Sequence, residues 1–114
     1  MSDVVEVTVV TSGVRQVQPF RTVAGTTDTL TLADHLKTVE YTNPAGCVVT
    51  VPDDVFSAGH VVTVATYAGA GPVTFAGDAV AVARPGLDTV QGDGGGASLH
   101  FRSPSEFYLW GDLT

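Results

Sequence analysis

Between Thr42 and Phe75 apolar residues alternate with small or hydroxylated ones in three short runs, 47–51, 61–67 and 72–75. Val49, Val51, Val62 and Val64 keep a period of two, which predicts half-buried strands. Loops rich in Pro, Asp and Gly separate them. Upstream, Val14–Val17 and Phe20–Val23 read as short extended pieces broken at Pro19, and Leu30 and Leu32 alternate with Thr29 and Thr31 as another strand. Asp34 is placed to cap one helical turn or close a side-chain turn, and 33–38 is the best helical candidate in the chain. Val39–Tyr41 resumes the extended pattern, and Asn43-Pro44-Ala45-Gly46 signals a turn.

Downstream, the loop after 47–51 carries Val55 and Phe56, which are expected to tuck back as its anchor. Gly77-Asp78 between 72–75 and 79–83 suits a type II′ hairpin turn. Residues 86–96, GLDTVQGDGGG, read as a flexible connection. Residues 97–102 and 107–110 form a terminal hairpin around Ser103-Pro104-Ser105, heavy with Leu99, Phe101, Phe107, Leu109 and Trp110.

Short strands at a spacing of roughly 8–12 residues predict an all-β domain, a small antiparallel β-sandwich or barrel with an extended N-terminal arm. Residues 1–29 are assigned to the arm and edge strands and 30–114 to the body. No fixed-period repeat of the kind that marks a solenoid is evident. Residues 3–10, DVVEVTVV, leave valines on both faces of an extended segment, so this segment needs cover, either from a neighbouring subunit or within its own sheet.

At 114 residues the chain has the size of one domain, and thirteen glycines and six prolines leave little room for long helices. The net charge of −7 gives no basic footprint for phosphate backbones, so nucleic acid is not an expected partner. No run of 18 apolar residues is present, so no membrane-spanning helix is expected; MSDVVEVTVV lacks a secretory signal, which predicts synthesis in a cytoplasm. Cys47 is the only cysteine and is expected to be a buried, inert thiol.

Candidate chemistry is sparse. Asp53 and Asp54 are neighbours that point to opposite sides of an extended chain, which suits a turn better than shared acid–base work. His35, His60 and His100 have no metal-ligand spacing. Ser98, His100 and Asp93 or Asp88 can be drawn as a hydrolytic triad, but no nucleophile elbow accompanies them. Gly92-Asp93-Gly94-Gly95-Gly96 lacks the residues of a phosphate or calcium loop. Tyr41, Tyr67, Tyr108 and Trp110 are too scattered in sequence for a sugar-stacking platform. The chain therefore reads as a non-enzyme that needs no cofactor.

From Leu30 onward the segments LADHLKTVEYTN (32–43), TVPDDVFSAGHVVTV (50–64), GAGPVTFAG (69–77) and EFYLWGDL (106–113) resemble a β-domain of tailed-bacteriophage virion proteins, found in tail fibres and capsid-surface components. The resemblance implies an all-β virion module, often trimeric, with no catalytic residues to carry over. Taken as complete at 114 residues with no preceding shaft, the chain suits a capsid decoration protein that cements the major capsid protein on the outer surface of the head. A tail-fibre or tail-tip protein binding a host receptor or glycan is the alternative. In the decoration reading, the attachment residues are Val4, Val5, Val7, Val9 and Val10 of the arm.

Overall fold

The alternating runs become strands because period-two patterning lets each bury one face. The computed structural model describes residues 19–114, in which nine strands make two sheets. These are β1 (Phe20–Val23), β2 (Thr27–Thr29), β3 (Thr38–Tyr41), β4 (Cys47–Thr50), β5 (Val61–Thr66), β6 (Val73–Ala76), β7 (Val80–Val82), β8 (Gly96–Ser103) and β9 (Glu106–Gly111). One sheet has the order β1-β3-β5-β8-β9-β7, and the other β2-β4-β6. The all-β expectation holds. The arm residues Val4, Val5, Val7, Val9 and Val10 lie outside the described residues.

The pairing corrects the antiparallel sandwich or barrel. β1–β3–β5 and β2–β4–β6 are parallel ladders, and β7 also runs parallel to β9; only β5–β8 and β8–β9 are antiparallel. The chain visits the large sheet, crosses to the small one and returns, so β1–β2, β3–β4 and β5–β6 stack as successive rungs in solenoid fashion. Register runs from Phe20 to Thr38 and on to Thr63, steps of 18 and 25 residues. Unequal loops therefore hide the repeat from a search for a fixed period.

Gly77 is a corner instead of a hairpin turn. It takes the chain from β6 in the small sheet to β7 in the large one, at φ +103°. A Cβ there would stand 2.5 Å from the Val51 carbonyl oxygen, so only glycine fits. The expected strand around Leu30 is shifted: β2 ends at Thr29, Leu30 is fully buried, and Leu32–Asp34 is a single 3-10 turn. The terminal hairpin, by contrast, forms as expected, with Leu99 opposite Leu109 and Phe101 opposite Phe107.

The core lies between the sheets. Val39, Tyr41, Val62, Val64, Leu99 and Leu109 enter from the large sheet, and Cys47, Val49 and Val73 from the small one. Phe56 folds back from its loop to stack on Phe101 at 4.3 Å, and Phe107 continues the aromatic chain to Phe75.

Candidate functional site

Two features stand out from the packed body: a charged end to the stack, and an apolar groove at the edge of the large sheet.

The charged end follows from the ladder register. One inward row of the large sheet reads Arg21, Val39, Val64, and the facing row of the small sheet reads Asp28, Val49, Phe75. The first rung of the described residues thus replaces an apolar pair with an ion pair. Arg21 also donates to Asp34 from Nε and Nη2, both at 3.1 Å. The Tyr41 hydroxyl donates to Asp28 at 2.8 Å, and Lys37 stands 3.7 Å from Asp34. Asp34 meanwhile accepts the Thr31 N–H at 2.9 Å, which holds the 3-10 turn as its sequence position suggests. Burial alone would push the Asp28 carboxyl up, but the bonds from Arg21 and Tyr41 outweigh it and hold it below the ordinary carboxylate value. Burial and the bond to Asp28 together push the Tyr41 phenol up. With its charged groups committed to one another, this network forms a polar cap on the first rung of the described residues.

The groove is the other feature. β7 is an edge strand that pairs with β9 only from Glu106 to Tyr108. β7 ends there at Val82, and a groove of about 380 Å³ lies beyond it against β9. Its lining includes Val82, Arg84, Leu87, Tyr108, Trp110 and Leu113, with Arg84 its single charged side chain. On the adjoining outer face Val80, Val82, Tyr108 and Trp110 are exposed, Trp110 at 54%. Strand alternation forces this exposure, because Leu109 and Phe107 take the inward positions. Trp110 is flanked by Tyr108 at 5.2 Å and His100 at 4.8 Å between ring centroids. Apolar and aromatic surface gathered in this way at a sheet edge has the composition that contact sites share. Sequence reasoning assigned Trp110 to the core hairpin and missed it as surface; its place two residues from Tyr108 on one strand was the available signal.

The remaining candidates are dispersed. Tyr41 is buried, whereas Tyr67 is exposed and does not line the groove. Asp54 adopts φ +60° in the loop, consistent with a turn role. His35 and His60 touch at 4.5 Å, and each accepts a backbone N–H at Nδ1, from Val61 and Ser57 respectively. The Nδ1 atom of each ring is thus occupied by a backbone N–H. Among the described residues no group of three or more His, Cys, Asp or Glu side chains is placed to hold a metal ion. Asp93 accepts the Gly69 N–H at 2.8 Å and Asp88 accepts from Thr89, so both are engaged away from the drawn triad with Ser98 and His100.

The glycine-rich stretch is a fitted loop, which corrects the flexible reading. The Thr66 hydroxyl lies 2.9 Å from the Gln91 carbonyl oxygen and 3.0 Å from that of Gly95. A Cβ on Gly95 would stand 2.1 Å from the Gln91 carbonyl oxygen. Cys47 is buried, and burial followed by the nearby Asp28 charge pushes its thiol up. No helix among the described residues is long and apolar enough to cross a membrane. No family model, curated protein or solved structure matches the chain.

Proposed function

We propose that this chain is a structural protein of a tailed bacteriophage, a capsid decoration protein bound to the major capsid protein on the outer surface of the head. In this reading it acts as a homotrimer assembled in the host cytoplasm, with no cofactor, nucleic acid or membrane partner. The observation that carries the docking role is the exposed apolar and aromatic face of Val80, Val82, Tyr108 and Trp110 at the β7–β9 edge of an otherwise acidic β body. The virion setting rests on the resemblance of residues 32–113 to phage β-domains. Val4, Val5, Val7, Val9 and Val10 are assigned by sequence to partner contact in this reading. Many weak copies then hold the shell by mass action.

The alternative, a tail protein that binds a host glycan, is favoured by one observation: Tyr108 and Trp110 present aromatic rings at the groove. Against it, the other named walls are mainly aliphatic and offer few partners for sugar hydroxyls. Gel densitometry of purified virions separates the two. Hundreds of copies per particle support decoration, a handful supports the tail, and none overturns both.

A further inference from the structure

We propose that the β7–β9 groove is the docking slot for residues 3–10 of a second copy of this chain, which enters as an added strand. Three observations converge on that occupant.

The first is an interrupted ladder. Among the described residues no strand pairs with Leu109–Gly111 on the β7 side, because β7 ends at Val82 opposite Tyr108. The Val80 N–H donates to the Ser105 carbonyl at 2.9 Å, which sets the phase of the ladder. Alternation then turns the backbone groups of Leu109 and Gly111 toward that side, beyond Phe107, which β7 already pairs. The slot thus offers main-chain partners along an unfilled strand position, the arrangement that accepts an extended peptide.

The second is chemical fit. The walls are aliphatic and aromatic with Arg84 as the lone charge. DVVEVTVV supplies Val5, Val7 and Val9 on one side and Glu6 on the other, where it can meet the exposed guanidinium of Arg84. In a chain of net charge −7, a cationic point in the contact lowers the repulsion between copies.

The third is reach. β1, where the described residues begin, and β7 are opposite edges of one six-stranded sheet, five strand spacings apart. At ~4.8 Å per spacing that is about 24 Å. Residues 10 and 19 are nine steps apart, about 30 Å at ~3.3 Å each, so the chain reaches its own groove only when stretched nearly straight across the sheet. Insertion into a neighbour whose β7 edge adjoins this β1 edge needs no such crossing. The contact is head-to-tail, the kind that closes into a ring.

This inference gives the trimer of the proposed function a contact, and so rests on that reading: the groove and the arm serve the trimer, and the outer face of Val80, Val82, Tyr108 and Trp110 is left to the capsid protein. Its test uses the purified full chain without phage, so the outcome is independent of the virion result. Sedimentation velocity of the wild type should show a closed oligomer. Arg84→Glu and Glu6→Arg should each weaken it at least tenfold, and the double variant should restore it. A monomeric wild type, single variants that assemble normally, or a double variant that fails to recover would each overturn the inference. If circular dichroism shows either variant unfolded, the Val7→Cys/Leu87→Cys protein replaces it. Mild oxidation should then yield disulfide-linked oligomers, and an unlinked product would overturn the inference equally.

Discussion

Arg21 on β1 and Asp28 on β2 meet as a two-pronged ion pair, Nη1 to Oδ1 at 3.0 Å and Nη2 to Oδ2 at 2.9 Å. They occupy the ladder positions that hold Val39 and Val49 one rung further in. Removing Arg21 leaves two carboxylates facing one another, of which Asp34 has only 3% of its side chain exposed. Breaking a fully buried pair costs about 3–5 kcal/mol; with Arg21 itself 30% exposed, Arg21→Ala should cost roughly 2–3 kcal/mol. Lys37→Ala, which loses one longer contact, should cost under about 1 kcal/mol. Urea denaturation of both variants checks the order, and equal losses would remove the cap from the explanation.

The same network sets a pH window. Asp28 is held below its ordinary value in the folded chain, so its contribution is complete above the unfolded carboxylate value of ~3.9 and is lost as pH falls through the lower folded value. Tyr41 is raised, so its contribution is complete below the unfolded phenol value of ~10 and is lost as pH rises beyond it. Urea midpoints from these two groups should be level between these limits and fall outside them. Asp28→Asn should lower the plateau and flatten the acid limb; an unchanged acid limb would assign the loss to other carboxylates.

Strand positions were legible in the sequence because alternation survives at single-residue resolution: 47–51 and 61–67 became Cys47–Thr50 and Val61–Thr66. Strand direction was not, since a parallel and an antiparallel ladder demand the same period of two. The cap was invisible for a related reason. Arg21 sits in an inward position of β1 where the pattern calls for valine, and only its rung partner Asp28 explains it. The groove was hidden because Trp110 reads as core until the β7 register leaves Leu109–Gly111 open. The glycine-rich 86–96 stretch, with Val90 and Gly95 buried, misled in the opposite sense, since glycine marks close approach as readily as freedom.

That distinction between tight fit and freedom can be measured. Gly95→Ala forces a Cβ into the Gln91 carbonyl oxygen and should cost more than about 2 kcal/mol. Gly94→Ala meets nothing within 4 Å and pays only for φ +94°, about 1–2 kcal/mol. Thermal unfolding of the pair should therefore rank Gly95→Ala as the more damaging, and the reverse order would restore the flexible-linker reading.

The loop anchor gives a larger signal. Phe56 is 1% exposed and stacks on Phe101, so Phe56→Ala should cost about 3–5 kcal/mol. Val55, only partly buried, should cost under about 1.5 kcal/mol on truncation to Ala. Comparable losses would mean that the loop is held by its backbone alone.

Cys47, 3% exposed with its thiol pushed up by burial, should resist a soluble disulfide reagent in the native protein. Labelling should proceed at the rate of unfolding and accelerate in urea. Immediate stoichiometric labelling in buffer would place the thiol outside the core.

Docking through the β7–β9 edge is tested most directly by an electron cryo-microscopy map of purified phage particles. Density for this protein should cover the outer head surface, with Trp110 and Arg84 buried in protein–protein contacts. A head bare of the protein, or a bound copy whose β7–β9 groove faces solvent, would contradict it.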